Sequence, residues 1–191
     1  MIHQNFKIYK PYGMLSQMLS NDHKERKKRF LSELRNFPEG IMPVGRLDEK
    51  SEGLLLMTTD GKLSDEINRT GVEKEYLAQL DGIISKQAIE IMKIGVEIGL
   101  AGKIYRTKPS EASIIQEPFD LPEPDEKLRI GRHRPSSWVS ITLKEGKYRQ
   151  IRKMTAAVGF PTLRLIRIRI GSIELNGMQP GDVLPLIKFI P

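Results

Sequence analysis

No cysteine occurs in the 191 residues, which excludes disulfides, thiolate metal sites and a cysteine nucleophile together. Histidine is almost as scarce. His3, His23 and His133 are widely scattered and give no metal-ligand spacing. Long hydrophobic runs are missing too, the longest being residues 54–57, and the opening "MIHQNFKIYK" has no apolar signal-like core. No signal peptide and no transmembrane helix is therefore expected, and the cytoplasm is the expected location. What is present, 39% hydrophobic residues, suffices for a buried core in one large domain or two small lobes sharing one.

Charge is unevenly distributed. The net charge of +7 comes from 31 Lys and Arg against 24 Asp and Glu. Residues 129–169 hold eleven basic side chains (129, 132, 134, 144, 147, 149, 152, 153, 164, 167 and 169) and a single acid, Glu145. The remainder of the chain is net acidic. A segregated positive field of this kind fits a polyanionic partner better than a solubility device, which needs no segregation.

Along the chain, "FKIYKPYGMLS" predicts a short strand over 6–9 that breaks at Pro11 and Gly13. "NDHKERKKRFLSELRNF" predicts a helix from Asp22, with Phe30, Leu31 and Leu34 at helical spacing. The basic run 24–29 lies on its first turns, where positive charge opposes the helix dipole. "IMPVGRLD" and "GLLLMTT" are strand candidates around an "EKSEG" turn, with a short helix over 63–68 after them. "KEYLAQLDG" alternates as a strand, placing Tyr76, Ala78 and Leu80 on one face. "SKQAIEIMKIG" predicts a helix capped by Ser85 and stopped by Gly95.

"KIYRTKPSEASII" reads as one or two strands interrupted at Pro109, and 117–137 as a long loop. In "SWVSITLKEG", Val139, Ile141 and Leu143 share a strand face. "KYRQIRKMTAAVG" predicts a helix with Ile151, Met154 and Val158 as its apolar stripe and Arg149, Arg152 and Lys153 on another face. "TLRLIRIRIGSIEL" predicts a long strand whose apolar parity shifts, calling for a bulge or bend near Leu165. Strands with irregularly interspersed helices define an α+β class with a mixed or largely antiparallel sheet.

Arg46 and Asp48 lie two apart. If the strand continues to Asp48, they point to the same side, and a neighbouring guanidinium keeps a carboxylate ionised as nucleophile or base. An isolated "RLD" is equally an Asx turn or a surface ion pair. No phosphate-cradling glycine pattern and no paired metal carboxylates surround it. Tyr76 by itself reads as a core or cross-strand aromatic, and Arg152 and Lys153 as an exposed helix face.

The combination goes further. "VGRLDEKSEGLLLMTTDG", with "KPYGMLSQ", "KEYLAQLDG" and "EGKYRQIRKMTAAVGFPTLRLIRIRIGSIEL" in the same order, resembles the ribosomal pseudouridine synthases, the group related to the small-subunit enzyme A and the large-subunit enzymes B, E and F. The likeness covers nearly the whole chain, and its C-terminal half is most similar to the branch that modifies 23S rRNA.

The resemblance implies a mixed, mostly antiparallel sheet in two lobes flanked by helices, with an active-site cleft between them. It implies a single catalytic domain over 1–191, without the N-terminal S4-type RNA-binding domain of many relatives; a monomer is expected because no exposed apolar stripe in the sequence demands a partner. It further implies isomerisation of uridine to pseudouridine in ribosomal RNA, with no cofactor and no metal. By motif, Asp48 matches the catalytic aspartate, Arg46 the arginine that pairs with it, Tyr76 the tyrosine against the target base, and Arg152 the basic residue contacting that carboxylate. Leu165 falls where an apolar residue lines the pocket. Lys10, Arg132, Arg134, Lys147, Arg149, Lys153 and Arg167 are the expected RNA contacts. Arg149 departs from the pattern, since most relatives have His before the Gln. A non-catalytic RNA-binding or ribosome-assembly module, or a synthase acting on tRNA or 16S rRNA, are the alternatives.

Overall fold

The computed structural model describes residues 3–25, 27–131 and 134–187. In chain order the elements are β1 (Asn5–Lys10), β2 (Met42–Val44), β3 (Glu52–Thr58), α1 (Gly61–Arg69), β4 (Lys74–Asp81), α2 (Lys86–Ile94), β5 (Glu97–Leu100) and β6 (Lys103–Arg106). There follow β7 (Glu111–Ile115), β8 (Ser136–Leu143), α3 (Gln150–Ala157), β9 (Thr162–Ile170), β10 (Ile173–Glu174) and β11 (Val183–Pro185). The fold is α+β. Among the described residues no helix is long and apolar enough to cross a membrane. The chain forms two compact units, Met1–Val72 with Arg167–Pro191, and Glu73–Ile166.

In the first unit β3 is buried along its whole length, and its central apolar run, residues 54–57, reads as a strand with both faces covered. Leu54, Leu55, Leu56 and Met57 are fully buried, each contributing about 1.5–3 kcal/mol relative to exposure. β1 lies between β3 and β11, antiparallel to both, with Ile8 opposite Leu55 and Val183. β2 pairs with β3, Val44 facing Leu56. Asp60 caps α1, its Oδ1 accepting from Lys62 N and Leu63 N at 2.9 and 3.2 Å. These bonds, Leu63 first, hold its carboxyl below the usual range. The Asp60-Gly61 pair is thus a helix start.

The helix expected from Asp22 does not form. The described part of that segment holds only two 3-10 turns, His23–Glu25 and Leu31–Glu33. Leu15 N donates to Arg29 O and Leu31 N to Gln17 O, both at 2.9 Å. These bonds to the preceding segment replace the helical ladder, which a run of like charges would in any case weaken.

In the second unit β4 pairs antiparallel with β8 over eight residues and β8 with β7; Ile141 faces Tyr76 on one side and Ala112 on the other. β5 and β6 form a separate hairpin, and the sequence reading had not separated β5. Ser85 caps α2 as expected, its Oγ accepting from Ala88 N at 3.1 Å. Gly95 ends that helix at φ +113, where a Cβ would collide with the Thr107 carbonyl. Val139, Ile141, Ile151, Met154 and Leu165 belong to this unit's core.

β9 is where the sequence shows a shift of apolar parity. It is one nine-residue strand in which Arg164, Leu165, Ile166 and Arg167 are all buried in succession. The parity shift disappears because the two arginines are accommodated inside, Arg164 Nη2 on Pro122 O at 2.8 Å and Arg167 Nε on Leu54 O at 2.7 Å. Charged donors on carbonyls are what permit such burial.

Candidate active site

In the first unit the segment carrying Asp48 is a fixed loop. β2 ends at Val44, so strand alternation does not place Arg46 and Asp48 on one side. Gly45 breaks the strand at φ +69, and a Cβ there would stand 2.9 Å from Asn68 Oδ1 of α1. Beyond it Leu47 is buried and held from both its backbone groups by one hydroxyl. Ser16 Oγ donates to Leu47 O at 2.8 Å and accepts from Leu47 N at 3.0 Å. Ser51 N closes a turn onto Asp48 O at 3.0 Å, and Gly13 N donates to Glu49 O at 2.8 Å. Arg46 is exposed and Asp48 half-buried on either side of this anchor. Arg46 also lines a cavity of about 450 Å³ with Gln17, Met18, Pro43, Gly45 and Asn68.

Behind the loop lies Lys10, fully buried. Its Nζ donates to Met14 O at 2.7 Å, Pro11 O at 2.8 Å and Glu49 O at 3.5 Å. Burial lowers its pKa to about 7; Glu52 opposes the drop, Arg167 adds to it, and Asp48 and Glu49 oppose it. Lys10, Asp48, Glu49, Glu52 and Arg167 thus form one charge cluster within the first unit. Arg167, 2% exposed, reaches Arg46 O with Nη1 at 3.5 Å as well as Leu54 O. Lys10 and Arg167, expected as RNA contacts, are interior groups whose described donors point at loop and strand carbonyls.

The remaining expected residues lie in the second unit. Tyr76 is half-buried on β4 and packs against the core. Leu165 is a core residue, 5% exposed. On α3, Arg152 Nη1 donates to Thr162 O at 3.2 Å and Lys153 Nζ to Gly99 O at 2.7 Å. Arg149 precedes that helix in the left-handed conformation, φ +53. Arg134 pairs with Asp81 at 3.2 Å, donates to Gly159 O at 3.2 Å and stands 6.0 Å over the Phe160 ring. Its guanidinium therefore ties β4 to the end of α3. Arg132 lies outside the described residues.

Glu145 escaped the sequence reading, although its being the lone acid in a basic block was a signal. It accepts from Tyr105 Oη at 2.7 Å, Lys108 N at 2.8 Å and Gln150 Nε2 at 2.7 Å. Partial burial pushes its pKa up, but those three bonds and the Lys147 charge outweigh it and hold the carboxyl below the usual range. Tyr105, bonded to that carboxylate, is pushed up. Ser16 was missed for another reason: a lone serine carries no signal of what its hydroxyl will bridge.

A chain of this architecture, with a carboxylate on an anchored loop after a short strand, has known counterparts. Residues 6–157 match the family model described as RNA pseudouridylate synthase. A solved structure titled a pseudouridylate synthase is similar at a TM-score of 0.76 and 27% identity, over 97% of this chain and 70% of that one. The chain belongs to the RNA pseudouridylate synthase family. Among named relatives, the ribosomal large subunit pseudouridine synthase E of Vibrio parahaemolyticus is 36% identical over 94% of this chain and 73% of its own length. That of Xanthomonas axonopodis is 36% identical over 91% and 88%. The large subunit pseudouridine synthase B of Bacillus subtilis is 30% identical over 95% and 67%.

Proposed function

We propose that residues 1–191 act as one catalytic domain, monomeric and cytoplasmic, that converts a specific uridine of large-subunit (23S) ribosomal RNA to pseudouridine, with Asp48 as the catalytic carboxylate and no cofactor. The observation that carries this reading is the clamp on the Asp48 loop, in which Ser16 holds both backbone groups of Leu47. A carboxylate so fixed is oriented before substrate arrives, and preorganisation of that kind is a large part of catalytic power. Kinship with large-subunit synthases E and B supports the choice of RNA.

The reaction is an isomerisation. The N1–C1′ bond breaks, uracil turns, C5 bonds to C1′, and the proton lost from C5 is balanced by one gained at N1. No electrons are exchanged with a partner and no group is transferred. A uridine in folded RNA must first leave its stack, at a cost of a few kcal/mol. In this reading Tyr76 lies against the extruded base and offsets that cost. Arg46, on the same loop, is the partner of the Asp48 carboxylate, and Arg152 and Leu165 keep the roles that the family resemblance implies for them.

Replacing Asp48 by Asn, nearly isosteric and uncharged, should abolish pseudouridine formation with the melting temperature and RNA affinity nearly unchanged. Pseudouridine mapping of ribosomal RNA from cells carrying only Asp48→Asn reads activity and target together. A site still modified there removes Asp48 from the chemistry. A lost signal in tRNA or 16S rRNA, with 23S rRNA intact, replaces the target.

A further inference from the structure

Two large aromatic side chains of the described surface stand far out in solvent, Phe119, fully exposed, and Tyr148, 70% exposed. Their electrostatic surroundings differ. Phe119 sits in 117–126, which contains five acids and no base, a setting that repels phosphate. Tyr148 sits between Lys147 and Arg149 in the basic block. Lys153 Nζ lies 5.1 Å from the centre of its ring, and that ammonium is fixed by its 2.7 Å bond to Gly99 O.

The turn bearing Tyr148 is built rather than loose. Glu145 gathers Tyr105 Oη, Lys108 N and Gln150 Nε2, and Lys147 N donates to Gln150 Oε1 at 2.9 Å. Lys147 Nζ stands 5.1 Å over the Tyr105 ring. Arg149 then turns the backbone left-handed into α3, a conformation that non-glycine residues seldom adopt. An exposed aromatic ring carried on a built turn, with a cation over one face and two more basic residues flanking it, matches what single-stranded nucleic acid binds: a π-face for a base and charges for its phosphates.

We propose that Tyr148 is a stacking shelf for an unpaired nucleotide of the RNA, with Lys147 and Arg149 meeting the adjoining phosphates. The proposal rests on the reading of RNA as substrate. The shelf accepts any base, because every base has a π-face, and it rejects duplex RNA, whose bases are already stacked.

The test is fluorescence anisotropy with a labelled oligouridylate and, in parallel, a labelled RNA duplex. Tyr148→Ala should weaken oligouridylate binding about 5- to 160-fold, the range of one lost base–aromatic stack, while leaving duplex binding, melting temperature and the slope of affinity against salt unchanged. Tyr148→Phe should bind as the native protein does. Lys147→Ala should instead make the slope shallower by about 0.7, one phosphate on a single strand. Native-like oligouridylate binding by Tyr148→Ala overturns the shelf. So does a native protein that modifies its ribosomal RNA yet ignores oligouridylate. A protein that shows the Tyr148-dependent binding but makes no pseudouridine overturns the proposed reaction and leaves the shelf standing.

Discussion

Lys10 shows how far a residue's role can lie from its appearance in sequence. Beside Pro11 and Gly13 it reads as a surface cation ready for phosphate, yet it is the fully buried ammonium behind the Asp48 loop. Its bonds to Pro11, Met14 and Glu49 carbonyls join the end of β1 to that loop. Because burial sets its folded-state pKa at about 7, against 10.5 for the free side chain, the unfolded chain binds more protons between those two values. Stability contributed by this group therefore rises with pH from about 7 toward 10.5, and below about 7 both states hold the proton and the contribution is absent. Lys10→Met removes the titration. In urea unfolding at pH 7 and pH 9, the native protein should gain on Lys10→Met by up to about 1.4 kcal/mol per pH unit. Parallel pH curves would show that Lys10 stays charged on its three carbonyls throughout.

At the scale of elements, what depends on near neighbours was legible and what depends on distant ones was not. The cap and stop of α2 at Ser85 and Gly95, the buried run of β3 and the inward face of β8 follow from capping and periodicity. The segment after Asp22 had helical spacing, but its backbone groups find partners in residues 15 and 17, a preference no local pattern contains. The Asp48 loop was legible as a motif but not as a geometry, since the end of β2 is set by Gly45. Gly13 and Gly45 separate backbone strain from crowding: both have positive φ, +73 and +69, but only at Gly45 would a Cβ meet a neighbour, Asn68. Alanine at either should cost about 1–2 kcal/mol for the left-handed backbone. Gly45→Ala should cost more than Gly13→Ala in thermal or denaturant unfolding and should also lower turnover, because Arg46 and Asp48 follow it directly. Equal losses would mean that Asn68 swings aside freely.

For the molecule as a whole, the net charge of +7 and its concentration in 129–169 predict association with RNA that weakens as salt is raised, but the number of charges overstates the number of contacts. Arg134, Arg152, Arg164, Arg167 and Arg169 each donate to a backbone carbonyl, of Gly159, Thr162, Pro122, Leu54 and Gly171 respectively. Their charge still adds to the long-range field that steers a polyanion. Counterion release, however, follows only those cations that sit on phosphate. If all eleven did, the logarithm of affinity for a single strand would fall with slope about −8 against the logarithm of salt concentration. With Arg129, Lys147 and their exposed neighbours making the contacts, a slope of about −2 to −4 is expected. Removing Arg129 and Lys147 together should make it shallower by about 1.4. Arg164→Gln, which alters an interior bond to Pro122, should leave the slope as it is while lowering the melting temperature. A slope near −8 that Arg164→Gln flattens would mean that RNA draws the buried arginines out of their carbonyl contacts, and the block would then be a surface made by its ligand.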